Sequence, residues 1–142
     1  MVEEPRLEQD SGIPKIRGLD HATFTVTDLD RSVAWYQRLF DVPSTREGWS
    51  GATLLSMEDG FVIGLIHSRT AQGDRFDPTR VGLDHIAWWV ESRDQLEAWL
   101  RRAEDMGAEN SGIVAAPDGL YLNVKDPDGT ALEFCAPTSG SA

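Results

Sequence analysis

The sequence predicts an α+β fold built from two similar β-α-β-β-β halves, and three observations carry that prediction. The first is an internal repeat, in which Gly18-Leu19-Asp20-His21 returns as Gly82-Leu83-Asp84-His85 after a shift of 64 residues. The register holds through Val26/Val90, Asp30/Asp94, Ala34/Ala98, Trp35/Trp99, Arg38/Arg102 and Asp41/Asp105, ten identities over the 24 pairs that begin at Gly18. A repeat of this length exceeds the solenoid periods and reads as duplication of a half-domain. The second observation is a switch of hydrophobic period inside each copy, from alternation to a helical stripe. The third is a pair of strong turn sequences, Glu58-Asp59-Gly60 and Asp126-Pro127-Asp128-Gly129. Both end in Asp-Gly, which tolerates positive φ, and the second adds the fixed φ of a proline.

Each half opens with a strand. Ala22, Phe24 and Val26 alternate with His21, Thr23 and Thr25, and Ile86, Trp88 and Val90 alternate with His85, Ala87 and Trp89. Alternation sends one set to each face of a sheet. A helix follows, with Asp30 and Asp94 as expected N-caps. Val33, Tyr36, Leu39 and Phe40 form one apolar stripe, and Leu96, Trp99, Leu100 and Ala103 form the other. Gly107 supplies a stop for the second helix, and the first stops before Pro43. Hairpins close the halves, over Ala52 to Met57 with Phe61 to His67, and over Leu120 to Lys125 with Thr130 to Ala136. A further strand is expected near Ser44 to Glu47 and near Ser111 to Ala115. The organisation is then a loose extension over 1–16, a first module over 17–67, a polar linker over 68–80, a second module over 81–137 and a tail over 138–142.

Composition narrows the function. The chain has 142 residues, 40% of them hydrophobic and 26% charged, as a globular chain should. No apolar run approaches the roughly 18 residues of a membrane helix, and the acidic start Met1-Val2-Glu3-Glu4-Pro5 is no secretory signal, so a cytoplasmic protein is expected. Cys135 stands alone, which excludes a disulfide framework within the chain and a zinc site of several thiolates. A formal charge of -11 disfavours nucleic acid, which needs basic patches.

Two of the three histidines fall at equivalent points of the two copies. A lone histidine at a strand start is ordinarily a polar surface residue; the pairing by the repeat singles out His21 and His85. Both share a face with Thr23 and Thr25 or with Ala87 and Trp89, opposite the apolar set that a helix should cover. A duplicated sheet curled about that side would make a cup. Glu133 interrupts the apolar run Ala131 to Phe134, and an ionised carboxylate there is costly unless it meets water, a partner or a cation. Two histidines and a carboxylate suit a divalent metal with coordination positions left open.

These residues resemble the vicinal-oxygen-chelate superfamily, which holds glyoxalase I, extradiol dioxygenases, methylmalonyl-CoA epimerases, fosfomycin-resistance enzymes and bleomycin-binding proteins. The opening, Gly18 to His21 with Val26 to Ser32 and Trp35-Tyr36, is similar to that family's opening. Asp126-Pro127-Asp128-Gly129 with Glu133 is similar to its closing hairpin. The resemblance implies a curved eight-stranded cup and one divalent ion (Fe, Mn, Zn or Ni) held by His21, His85 and Glu133. It implies lyase, isomerase or ring-cleaving dioxygenase chemistry on a small organic substrate that chelates through adjacent oxygens. It also implies a homodimer in which His21 meets the partner subunit's His85 and the partner subunit's Glu133.

Gly64 aligns with Glu133, where glyoxalase I supplies a fourth ligand, so a three-ligand site is expected. His67, three residues further on, is expected at the surface. Phe134 to Ala142 lacks the basic residues that fosfomycin-resistance enzymes place after the glutamate. By strand parity Thr23, Thr25, Ala87, Trp89, Tyr121, Asn123, Ala131 and Cys135 line the cup, with Cys135 expected as a buried, unreactive thiol. The alternative reading is a metal-free drug- or metabolite-binding protein of the bleomycin-resistance type.

Overall fold

The structure, a computed structural model, describes residues 12–45 and 51–138. Most of the N-terminal extension, Arg46 and Glu47 of an expected strand, and most of the tail lie outside the described residues. The first half comprises β1 (His21–Val26), α1 (Leu29–Phe40), β2 (Ser44–Thr45), β3 (Thr53–Ser56) and β4 (Val62–His67). The second comprises β5 (Ile86–Trp89), α2 (Arg93–Asp105), β6 (Asn110–Ala116), β7 (Gly119–Lys125) and β8 (Ala131–Ala136). Between them Arg69–Ala71 forms one 3-10 turn.

The eight strands form two four-stranded sheets of identical topology, β1-β4-β3-β2 and β5-β8-β7-β6. The outer pair of each, β1 with β4 and β5 with β8, is parallel, and the remaining pairs are antiparallel. This is the β-α-β-β-β order expected from the repeat. In each half the helix carries the chain from the first strand to the second at the opposite edge of the sheet, a crossover that a tight turn cannot make.

Both helices start two residues earlier than their repeated aspartates suggest. Asp28, not Asp30, caps α1 by accepting the Arg31 N–H at 3.0 Å. Ser92, not Asp94, caps α2 by accepting the Gln95 N–H at 3.2 Å. Asp30 and Asp94 sit in the first turn, where a negative charge complements the helix dipole. At the other ends Asp41 (φ 52°) and Gly107 (φ 66°) turn the chain out of the helix in left-handed conformation.

Each helix covers one face of its own sheet. Phe24, Val26, Leu55, Ile63 and Leu65 are buried beneath α1 together with Tyr36 and Leu39. Leu122, Val124, Leu132 and Phe134 are buried beneath α2 with Leu96 and Ala103. The two helix layers join through an aromatic cluster: Phe40 lies 5.3 Å from Trp88 and 5.8 Å from Trp99 between ring centroids, and Trp99 stacks on Phe134 at 4.5 Å.

Polar groups fix the junction. Arg102 of α2 donates to the carbonyls of Leu39 and Arg38 at the end of α1, both at 2.6 Å. Its repeat counterpart Arg38 donates to the Asp105 carbonyl at the end of α2, 3.3 Å away. Each arginine thus satisfies carbonyls that the other helix leaves without partners, at the negative end of its dipole. The turn Asp126-Pro127-Asp128-Gly129 completes the joint. Asp128 accepts from the Thr27 N–H (3.1 Å), the Thr27 hydroxyl and Arg31 Nη2 (2.9 Å). Asp126 accepts the N–H groups of Asp128 and Thr130 on one oxygen and the Tyr36 hydroxyl, at 2.8 Å, on the other.

Burial, followed by the nearby Asp126 carboxylate, raises the Tyr36 pKa well above its ordinary value. Tyr36 therefore stays a hydroxyl donor. Tyr36→Phe leaves a buried carboxylate oxygen without its donor and should lower stability by about 1–3 kcal/mol in urea denaturation. A wild-type midpoint in that variant would contradict this role.

Candidate metal site

The strand registers decide which side chains can meet. On β5 and β8, Ala87 pairs with Glu133 and Trp89 with Cys135; on β7, Asn123 pairs with Glu133 and Tyr121 with Cys135. With His85 just ahead of β5, these residues share the face that α2 does not cover. In the first sheet Thr23 pairs with Gly64 and His21 with Val62, on the face that α1 does not cover. Thr23, Thr25 and Trp89 are exposed, while Tyr121, Asn123, Ala131 and Glu133 are half-buried. His67 is exposed at the end of β4.

His85 Nε2 lies 3.8 Å from Glu133 Oε1, within the roughly 4 Å that two ligands of one ion can span. Each histidine is held from behind by the aspartate before it. Asp20 Oδ1 lies 2.6 Å from His21 Nδ1, and Asp84 Oδ1 lies 2.7 Å from His85 Nδ1. With Nδ1–H donated to the carboxylate, the lone pair is at Nε2, the arrangement metal-ligating histidines use. Asp20 and Asp84 were visible in the sequence as part of the repeated Gly-Leu-Asp-His, but their role needed the side-chain geometry. The bond to Asp84 is the main cause of a His85 pKa above its ordinary 6.5, opposed by partial burial and assisted by Glu133.

Within one chain the set is a half-site. His21 belongs to the other sheet, and among the described residues no group of three or more His, Cys, Asp or Glu is placed to hold a metal. The donor chemistry of His85 and Glu133 fits a divalent ion; the third donor is not brought to them by the chain's own fold. Gly64 occupies the place in the first sheet that Glu133 has in the second. A Cβ there would meet Thr23 Oγ1 at 2.7 Å, so a larger residue could not enter without displacing Thr23.

Cys135 is buried, and its thiol donates to Glu133 Oε1 at 3.4 Å. Burial and the Glu133 carboxylate push its pKa up to about 11, so it is a packing residue and not a nucleophile at neutral pH. The Tyr121 hydroxyl pKa is also raised, first by its bond to Asp118. It faces neutral pH as a phenol. No described helix is long and apolar enough to cross a membrane.

Comparison with known proteins agrees with this architecture. The model of the Glyoxalase/Bleomycin resistance protein/Dioxygenase superfamily matches residues 18–134. A solved glyoxylase/bleomycin resistance protein/dioxygenase domain from Frankia sp. EAN1pec is 31% identical, with 89% of this chain and 96% of that one covered and a TM-score of 0.80. A mutant of the fosfomycin resistance protein FosX from Listeria monocytogenes, complexed with manganese(II) and 1S,2S-dihydroxypropylphosphonic acid, is 21% identical over 87% of this chain and 93% of that one, TM-score 0.68. Lactoylglutathione lyase from Agrobacterium tumefaciens is 16% identical over 87% and 96%, TM-score 0.67. These last two likenesses are of fold. No curated protein matches the sequence.

If Asp84 holds His85 as described, Asp84→Ala should bring the His85 pKa down toward 6.5 in an NMR titration of the imidazole protons. An unchanged titration would show that the Asp84 contact does not govern His85.

Proposed function

The chain belongs to the Glyoxalase/Bleomycin resistance protein/Dioxygenase superfamily, and from that premise we propose that it is a divalent-metal enzyme acting on a small organic substrate through two adjacent oxygens. The ligands in this reading are His21 of one chain with the partner subunit's His85 and the partner subunit's Glu133. The observation that carries it is the 3.8 Å approach of His85 Nε2 to Glu133, with Asp84 orienting the ring.

Two features support assembly from two copies. The His21 and His85–Glu133 faces are the sides of the sheets that neither described helix covers. Large apolar side chains lie open around them: Leu19 is 84% exposed, Leu83 42%, Trp89 79% and Val114 49%. Leu19 and Leu83 occupy equivalent positions of the repeat, two residues before each histidine. Apolar surface concentrated in this way marks an interaction site. A homodimer that stacked these faces would cover it and complete the donor set.

A bound divalent ion would supply Lewis acidity toward the developing charge on a substrate oxygen. The chain's own residues do the rest. Asp20 and Asp84, each bonded to the Nδ1 of the histidine that follows it, aim the Nε2 atoms. Trp89 offers a flat apolar wall, while Thr23, Thr25 and the Asn123 amide offer hydrogen bonds to a polar substrate. Gly64 and the close Thr23 side chain leave no fourth protein ligand, so coordination positions remain for the substrate. This favours three-ligand chemistry over the four-ligand glyoxalase I type; lyase, isomerase and ring-cleaving reactions share this requirement.

The test is metal content by plasma mass spectrometry of anaerobically purified protein, beside the His85→Ala and Glu133→Ala variants. About one divalent ion per chain is expected, as for a two-histidine, one-carboxylate site, and it should be lost in both variants while the fold is kept. Because a proton competes for His85 Nε2, and the His85 pKa lies above 6.5, loading should weaken as pH falls through that raised value. Metal retained in both variants would overturn the ligand assignment. A wild-type protein that binds no metal even after reconstitution would favour the metal-free binding protein.

A further inference from the structure

The molecule also has a cavity that none of the proposed metal ligands lines, although Trp89, the apolar wall of the proposed substrate site, borders it. It has a volume of about 470 Å³ and opens at the junction of the two halves, a size that suits a small ligand. Phe40, Trp88 and Trp99 form its walls. The Phe40 ring is tilted by 58° to Trp88 and 61° to Trp99, with centroids 5.3 and 5.8 Å away. Trp88 points away from the His85 face, because it alternates with Ala87 and Trp89 and stacks on buried Phe134. The rim is supplied by Asp41, at the left-handed end of α1, and by Glu58 and Asp59 in the turn between β3 and β4. Among the described residues, every charged group lining the cavity is acidic.

We infer that this cavity is a binding site for an organic cation, a quaternary or alkylated ammonium group of small-molecule size. Each part of the lining fits that chemistry. Aromatic rings attract a cation through their quadrupoles when it lies within about 6 Å of the centroid, and rings spaced as here can share one. Carboxylates at the mouth add long-range attraction without the cost of burying them, since Asp41, Glu58 and Asp59 are exposed. A neutral molecule of the same shape gains only the apolar contact, and an anion meets three like charges. The acidity of the whole chain, -11, acts in the same direction. None of the proposed metal ligands lines this cavity, which shares Trp89 alone with the proposed substrate site.

The test uses the full chain with choline and with 3,3-dimethylbutan-1-ol, its uncharged carbon counterpart. Binding is followed by saturation-transfer NMR on the methyl protons and by tryptophan fluorescence. Choline should bind about tenfold more tightly than the alcohol, the difference a cation–aromatic contact supplies, and added salt should weaken only choline. Glu58→Gln combined with Asp59→Asn should weaken choline severalfold and leave the alcohol unchanged. Both residues are exposed, and Asn keeps an oxygen to accept the Phe61 N–H that Asp59 Oδ1 now accepts, so the fold is not at risk. Equal affinity for the two probes, or no choline binding at tens of millimolar, would overturn the inference. So would choline binding that survives the rim variant but is lost in His85→Ala, because it would place the cation at the proposed metal site instead.

Discussion

The arrangement of this molecule depends on how the closing turn of its second half grips the start of its first helix. Asp126 and Asp128 are both buried, yet each is surrounded by donors: two backbone N–H groups and Tyr36 for one, Thr27 and Arg31 for the other. Burial nevertheless raises the Asp126 pKa above the ordinary carboxylate value. By linkage this group favours the fold most at acid pH, below its unfolded pKa, and that contribution is lost as pH rises through its folded pKa. The pocket of donors is what makes a charged Asp126 tolerable near neutrality. With the two halves held there, and with Arg38 and Arg102 capping each other's helices, the helices pack together and the aromatic cluster closes between them.

That joint has a consequence for chemistry. Packing the helix layers together leaves the opposite faces of both sheets uncovered, and those faces carry the histidines. A single chain therefore presents two partial donor sets. One is a His85–Glu133 pair with an oriented imidazole, and the other is His21 with its own aspartate behind it. The same joint creates the aromatic cavity between the halves, so one interface accounts for both the exposed half-sites and the cavity proposed to take a cation.

Much of this was legible in the chain itself. The repeat and its turns specified two β-α-β-β-β units, and strand parity placed Thr23, Thr25, Trp89, Tyr121 and Asn123 on the helix-free faces, because period-two geometry leaves little freedom. The helix caps were misread for a physical reason. Asp and Ser cap equally well, so the true pair, Asp28 and Ser92, shows no identity in the repeat. Asp30 and Asp94 are identical and favourable for a different reason, the helix dipole. The grip of Asp128 on Thr27 spans 101 residues of sequence. No local pattern announces such a contact. The repeat and the resemblance already put the third proposed ligand, His21, in the other half; that one chain does not bring it to His85 and Glu133 follows from how the halves pack.

The central claim is that the metal site is made by two chains, and complementation tests it most directly. His21→Ala and His85→Ala chains are prepared separately, then unfolded, mixed and refolded together, and their metal content is measured. If the site is shared, neither variant binds metal alone, but the mixed dimer recovers one intact site from His21 of one chain and His85 of the other. If mixing restores no metal although mixed dimers form, the three ligands do not come from two chains, and the account is wrong.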